Sequence, residues 1–487
     1  MDSHSDLPSL RATVRLAGPN KAKLSPVQVF DVKFYPYTLP GVDPVFAVCA
    51  GASIVVYRCV LEKDRTVEVL HWTQNELART SEGNTVDHNV NSLAWSQAEN
   101  GDPLLCVAGD VSNQIKVFNI ANKILAATLI GHGDPINDLA VSPIDPTILA
   151  SCSADHSVRL WSLDPVHKAQ PLAAICYGQG HRDQILTLKF HRKGRFILSA
   201  GMDTKVIMWA VPEDLKLHAG TDKPVNIHYP HFSTTEVHTD FVDCVEWYND
   251  LIFSHACREA KIILWKIDSF SSDNASIPDA PVRTSAAITS TTPVTVPAYS
   301  SSTTLSAWGG RFQRLLQFSL PDTSSFYIRF NLFHELGRHP VLAAGNEKSK
   351  VFFWDLQRLE NAGTGEDTSQ AGKAVLSGLP RHVREGSVSS NASSAVSTTS
   401  GTTKGAKKKA KERLRDRGIA DPFTSIKAHK IIEIPKYAAF TFRQFSWSRD
   451  GQWCVGVGDH GLINVFHRWE NGVPPVKAEA QVVLPMR

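Results

Sequence analysis

The chain has 487 residues, 42% of them hydrophobic and 20% charged, with a formal net charge of +3; this is an ordinary globular balance with ample length for a large core. So small a net charge supplies no global field for nucleic acid, no apolar run approaches the roughly 18 residues needed to span a bilayer, and the polar start of the chain lacks the apolar stretch of a signal peptide. The eight cysteines, Cys49, Cys59, Cys106, Cys152, Cys176, Cys244, Cys257 and Cys454, include no CxxC pair, so they read as buried reduced thiols of an intracellular protein rather than a zinc site or a disulfide framework.

Residues 1–26 read as a polar N-terminal tail, and 27–487 as a single domain of seven blade-sized segments. The first segment holds alternating or apolar runs at 27–34, 45–48 and 53–57, and the second holds runs at 90–95, 104–109 and 115–118. Such runs bounded by Gly, Asp and Asn carry the strand signal. The third and fourth segments are one unit written twice. Gly131-His132, Ser151, Asp155 and Trp161 recur in the same order as Gly180-His181, Ser199, Asp203 and Trp209. His to Trp spans 29 residues in the first copy and 28 in the second, and Asp to Trp spans six in both. A fixed order at a fixed pitch is the signature of a WD-repeat blade. Buried Asp and His need partners, because leaving them unpaired is costly. The Ser and Trp of the same repeat supply those partners, so these residues form a structural network and not a catalytic one.

The fifth segment runs from His238 to Trp265, with Glu259 at the same six-residue offset from the Trp. The sixth contains Phe326-Tyr327-Ile328-Arg329-Phe330, read as a strand, followed by runs at 341–345 and 351–355. The seventh contains runs at 442–447, 453–457 and 463–466. Two stretches break the rhythm: about 269–305 is rich in Ser, Thr, Ala and Pro, and about 361–425 in Gly, Ser and Thr and then in Lys and Arg. Neither buries enough apolar surface to offset its ordering entropy, so both are expected to be long disordered inserts in a closed ring, tolerated because closure entropy grows slowly with length. The expected fold is therefore all-β, a seven-bladed WD-repeat β-propeller with two such inserts.

No P-loop, GxSxG or HExxH motif is present, and the 19 histidines show no metal-ligand spacing. No catalytic residue, metal or cofactor is expected; a propeller without such a motif is a platform for partners. The basic run from Lys404 to Arg417 is the one strong charge cluster. It is open to three readings: a nuclear-import signal, a contact for nucleic-acid phosphates, or a solvated loop.

The stretch Ile227-His228-Tyr229-Pro230-His231-Phe232-Ser233-Thr234-Thr235-Glu236-Val237-His238, continuing into Asp240-Phe241-Val242-Asp243-Cys244-Val245-Glu246-Trp247, closely resembles the EED/extra sex combs family, the WD-repeat subunit of Polycomb repressive complex 2. Gly131-His132-Gly133-Asp134-Pro135-Ile136-Asn137, Gly180-His181-Arg182-Asp183 and Gly201-Met202-Asp203 match as well. The resemblance implies a non-catalytic, nuclear scaffold of a histone H3 lysine methyltransferase acting in gene silencing. Its implied partners are the catalytic subunit on one face, the other subunits of the complex, and a trimethylated lysine of the histone H3 tail on the opposite face. That lysine would enter an aromatic cage at the central channel and stimulate methylation. A quaternary ammonium has no N–H to donate, so ring faces hold it by cation–π attraction. Carried over by position, the cage falls on Phe30, on Phe326 and Tyr327, and on Arg329 beside them. Asn91 stands where the family has a tyrosine, and Phe326 replaces a tryptophan. The alternative is a WD-repeat adaptor of another complex that does not read methyl-lysine.

Overall fold

The computed structural model describes residues 6–16, 28–62, 65–73, 89–109, 113–282, 303–335, 337–362, 421–434, 440–469 and 472. Their strands form seven mainly antiparallel sheets arranged as blades. The innermost strands, in chain order, are Val29–Phe34, Val90–Gln97, Ile136–Val141, Ile185–Phe190, Val242–Tyr248, Asn331–Phe333 and Phe442–Trp447. Seven hydrophobic clusters occur among the described residues, and each joins two neighbouring blades. One packs Val29, Val32 and Phe46 of the first blade against Trp453, Val455 and Val465 of the last. The core is therefore a closed circle of inter-blade layers around a channel, with no open sheet face.

The repeated polar residues do what burial demands of them. In the third blade the Trp161 indole N–H donates to Ser151 Oγ at 2.8 Å, and that hydroxyl stands 2.7 Å from His132 Nε2. The other ring nitrogen, Nδ1, meets Asp155 at 2.8 Å. The fourth blade repeats the chain through Trp209, Ser199, His181 and Asp203 at 2.9, 2.9 and 3.0 Å. The fifth repeats it through Trp265, Ser254, His238 and Glu259 at 2.9, 2.7 and 2.9 Å. Each network ties the blade's entry loop to its second and third strands, and no member is left over for catalysis. Gly201 closes its strand where a side chain cannot fit, since a Cβ there would lie 2.1 Å from the Gln184 carbonyl oxygen.

Three expectations are corrected. Residues 1–26 are not simply a tail: Ser9–Arg15 pairs antiparallel with Leu462–His467 and forms the outer strand of the seventh blade. The physical reason is ring closure, because an outer strand taken from the start of the chain ties its two ends into one sheet. The insert boundaries also move. Thr304–Ser306 is a fifth strand of the fourth blade, and Ser425–Ile426 pairs parallel with Phe312–Ser319 in the fifth. The helix Leu356–Ala362 extends into the expected start of the second insert. Finally, Phe326–Phe330 is not a strand; pairing begins at Asn331. The greater part of both inserts, including the basic run 404–417, lies outside the described residues.

Candidate functional site at the channel mouth

Six of the seven innermost strands share one irregularity. Their pairing register slips at the second residue, which is Phe30, Asn91, Asn137, Leu186, Asp243 or Arg443. Each of these lies four residues before the strand's Phe, Trp or Val, and Arg329 stands at the same offset before Phe333. A bulge frees one residue from the ladder and re-aims its side chain, which is why bulges collect at rims and sites. Here six bulges, with Arg329 as the seventh residue, surround one mouth of the channel.

The ring is stitched below by side chains of the next position. Asp31 accepts from the Leu93 amide at 2.9 Å, Ser92 from the Leu139 amide at 3.0 Å, and Asp138 from the Leu188 amide at 3.2 Å. Each latch joins one blade to the next, so Phe30 and Asn91 become fixed neighbours on the first two blades. Phe30 is half-buried and packs against the apolar layer that contains Leu93 and Trp95. Asn91, also half-buried, holds the corresponding bulge position on the second blade.

The other wall comes from the sixth blade. The rings of Phe326 and Tyr327 lie 5.1 Å apart between centroids, inclined by 47°. Phe326 is 46% exposed and Tyr327 half-buried. Burial raises the Tyr327 phenol above the ordinary tyrosine range, so it stays neutral. The described ring contacts join these two side chains and do not include Phe30. Arg329 crosses the channel from the sixth blade to the third and fourth. Its guanidinium meets Asp138 at 3.2 Å and donates to the Leu186 carbonyl at 2.6 Å, while the Tyr327 ring sits over it at 5.1 Å. Burial disfavours the Arg329 charge most strongly, but Asp138, Tyr327 and Asp31 together more than offset this and raise its pKa. Burial likewise opposes the Asp138 charge, and Arg329, Lys33 and Lys189 reverse that effect and lower its pKa. The floor of the mouth is thus a buried, charge-balanced ion pair.

Arg443 was missed by sequence reasoning. It grips Asp459 with two nitrogens, at 3.0 and 3.3 Å, and donates from a third to the Phe326 carbonyl at 3.0 Å. Its shared offset with Phe30, four residues before the closing aromatic, was the available signal. The arrangement of aromatic faces over a neutralised floor suits an organic cation that cannot donate hydrogen bonds. It provides no nucleophile paired with a base, and the described residues contain no group of three or more potential metal ligands.

The opposite mouth differs in character. A cavity of about 750 Å³ opens there, lined by the ends of all seven innermost strands, including Phe34, Trp95, Phe190, Trp247, Phe333 and Trp447. Lys189 and Glu246 pair within it at 3.2 Å.

Comparison with known proteins accords with this architecture. The family model "WD domain, G-beta repeat" matches residues 124–162 and 174–210, the two clear copies. Polycomb protein EED of Chaetomium thermophilum is 36% identical over an alignment covering 91% of each chain. Polycomb protein esc of Drosophila melanogaster is 27% identical over 75% of this chain and 77% of its own. Among solved structures, a chain of the Chaetomium thermophilum Polycomb repressive complex 2 superposes with a TM-score of 0.76 at 32% identity, covering 96% of this chain and 99% of that one. A chain from ctPRC2 in complex with H3K27me3 and H3K27M superposes with a TM-score of 0.77 at 33% identity and the same coverage. At 36% identity across nine-tenths of both chains, this protein belongs to the EED family of WD-repeat Polycomb proteins.

Proposed function

We propose that the chain is the non-catalytic scaffold and histone-reading subunit of a Polycomb-type histone H3 lysine methyltransferase, and that it works in the nucleus to silence genes. Its relatives carry Polycomb names, and one matching structure is a complex with H3K27me3. One mouth of the channel receives trimethyl-lysine of the H3 tail between Phe30 on one side and Phe326 and Tyr327 on the other, with Asn91 at the edge and Arg329 beneath. The observation that carries this reading is the pair of inclined rings standing over a charge-balanced floor at a mouth built by bulges. The other mouth, with its aromatic lining, takes a segment of the catalytic subunit. Methyl-lysine bound at the first mouth recruits and stimulates the enzyme held at the second.

Calorimetric titration with H3 tail peptides, trimethylated against unmodified, tests the reader. The expected outcome is binding that depends on the methyl groups and is abolished in Phe30→Ala and in Tyr327→Ala. A wild-type chain with no methyl preference would leave a scaffold only, in line with an adaptor that does not read the mark.

A further inference from the structure

We infer that the buried pair Asp243–His255 of the fifth blade is a positioning device for the Tyr327 wall, acting through the Ile328 amide. The inference rests on the reader assignment above and names residues that act on the site without touching its ligand.

The need for such a device is visible in the backbone. Tyr327 has φ of 59°, in the left-handed region, which a bulky side chain enters only when its surroundings over-determine it. The neighbouring residues have no strand ladder to fix them, since 326–330 lie outside any strand. Their polar backbone groups are held from other blades instead. The Phe326 carbonyl accepts from Arg443, and the Arg329 amide donates to the Arg443 carbonyl at 3.0 Å. Between them the Ile328 amide donates to Asp243 Oδ2 at 3.3 Å. The turn that aims Tyr327 is thus gripped from the seventh blade on both flanks and from the fifth blade at its centre.

The pair itself is built for this contact. Asp243 and His255 are both wholly buried. His255 Nδ1 meets Asp243 Oδ1 at 2.9 Å, which leaves the second carboxylate oxygen facing Ile328. The other ring nitrogen of His255 has no hydrogen-bond partner among the described residues. The pair reaches the amide next to Tyr327. The repeat networks of the third, fourth and fifth blades already tie those blades together internally. They do not use Asp243, which sits instead at the bulge position of the mouth ring.

The test uses the full chain and trimethylated H3 peptide in calorimetric titration, with melting temperature measured in parallel. Asp243→Ala is expected to weaken methyl-dependent binding by on the order of tenfold, as expected for losing one charged hydrogen-bond acceptor. Asp243→Asn keeps an acceptor for the Ile328 amide, and His255 can change tautomer to meet its NH2 group. This variant is expected to restore binding to within about twofold of wild type. Asp155→Ala removes an equally His-paired carboxylate from the third blade and is expected to lower the melting temperature without changing peptide affinity. If Asp243→Ala does not fold, His255→Leu carries the same test by leaving Asp243 unoriented, with a severalfold loss expected. Wild-type affinity in the tested Asp243→Ala or His255→Leu chain overturns the inference, as does an equal affinity loss in Asp155→Ala. A wild-type chain blind to methylation overturns the reader assignment and this inference together. A methyl-dependent wild type beside an unaffected Asp243→Ala overturns the inference alone.

Discussion

Arg329 puts a positive charge directly beneath a site proposed for a cationic ligand, and the two charges repel unless something intervenes. Asp138 is that something: at 3.2 Å from the guanidinium it leaves the floor with no net charge. The Tyr327 ring can then offer its electron-rich face to the ligand while the Arg329 stack holds it still. In the proposed reader Asn91 is the weak point, because its side chain offers no aromatic face. Asn91→Tyr is expected to tighten trimethyl-lysine binding by about 5- to 30-fold, the equivalent of one cation–π partner of ~1–2 kcal/mol. Titration of that variant against the same peptide pair checks it, and unchanged affinity would place the ligand away from the second blade. At this scale the sequence was half legible. Phe30, Asn91, Phe326, Tyr327 and Arg329 were named through a family resemblance. Arg443, Asp243 and His255 were not, because their importance comes from partners in other blades, as far as 117 residues away for Arg443 and Phe326.

The blade is the element in which sequence and structure agree best, and its polar network explains why. Four residue types must meet to satisfy one another, so their spacing is constrained and can be read. Glu259 shows how far this goes: six residues before Trp265, it takes the place that Asp holds in the other two copies and accepts from His238 in the same way. Ser199→Ala would strand both Trp209 Nε1 and His181 Nε2 in the interior, and is expected to cost roughly 1–3 kcal/mol for the unsatisfied groups, measured by urea denaturation. The networks also set the acid limit of the fold. Burial raises the Glu259 carboxyl, but the His238 hydrogen bond and charge outweigh this and bring it down to about 2. Burial lowers the pKa of His132 and His238 from the usual 6.5. Both effects have one sign, since the unfolded chain binds more protons than the folded one. Stability is therefore expected to be full above pH 6.5, to fall as the unfolded histidines charge, and to fall further from pH 4.5 towards 2 as Glu259 protonates. Melting temperature followed from pH 8 downward checks this; a stability maximum below pH 5 would refute it. The sixth blade was the least legible. Phe326-Tyr327-Ile328-Arg329-Phe330 alternates as a strand does, yet its backbone bonds go to Asp243 and Arg443, and alternation alone cannot reveal a tertiary partner.

For the whole molecule the decisive event is closure, and it depends on a strand that reads as tail. Seven apolar layers join seven blades only if the last blade meets the first, and that layer includes Leu16 from the N-terminal segment. Ser9–Arg15 hydrogen-bonds along Leu462–His467, so the beginning of the chain completes the sheet made by its end. Side chains reinforce this seam. Lys430 of the sixth blade donates to the Leu7 carbonyl at 3.1 Å and to the Ser9 hydroxyl at 2.8 Å, and the buried Arg468 donates to the Asp6 carbonyl. In sequence the strand is short, carries two arginines among its seven residues and is separated from the next strand by residues 16–28, so nothing local pairs it with a partner about 450 residues away. Removing residues 1–16 should bare the edge of Leu462–His467 and expose part of the apolar layer between the last and first blades. The expected result is a clear fall in melting temperature together with concentration-dependent association, because an open hydrophobic edge pairs with other chains. The same loss should loosen Phe30, which sits on the first blade directly across that seam from Arg443 of the seventh, so peptide affinity is expected to drop as well. Adding a synthetic peptide of residues 5–16 should restore both properties if the strand acts by pairing. Full stability and monomeric behaviour in the truncated chain would show instead that the inter-blade layers suffice to hold the ring shut without the N-terminal strand.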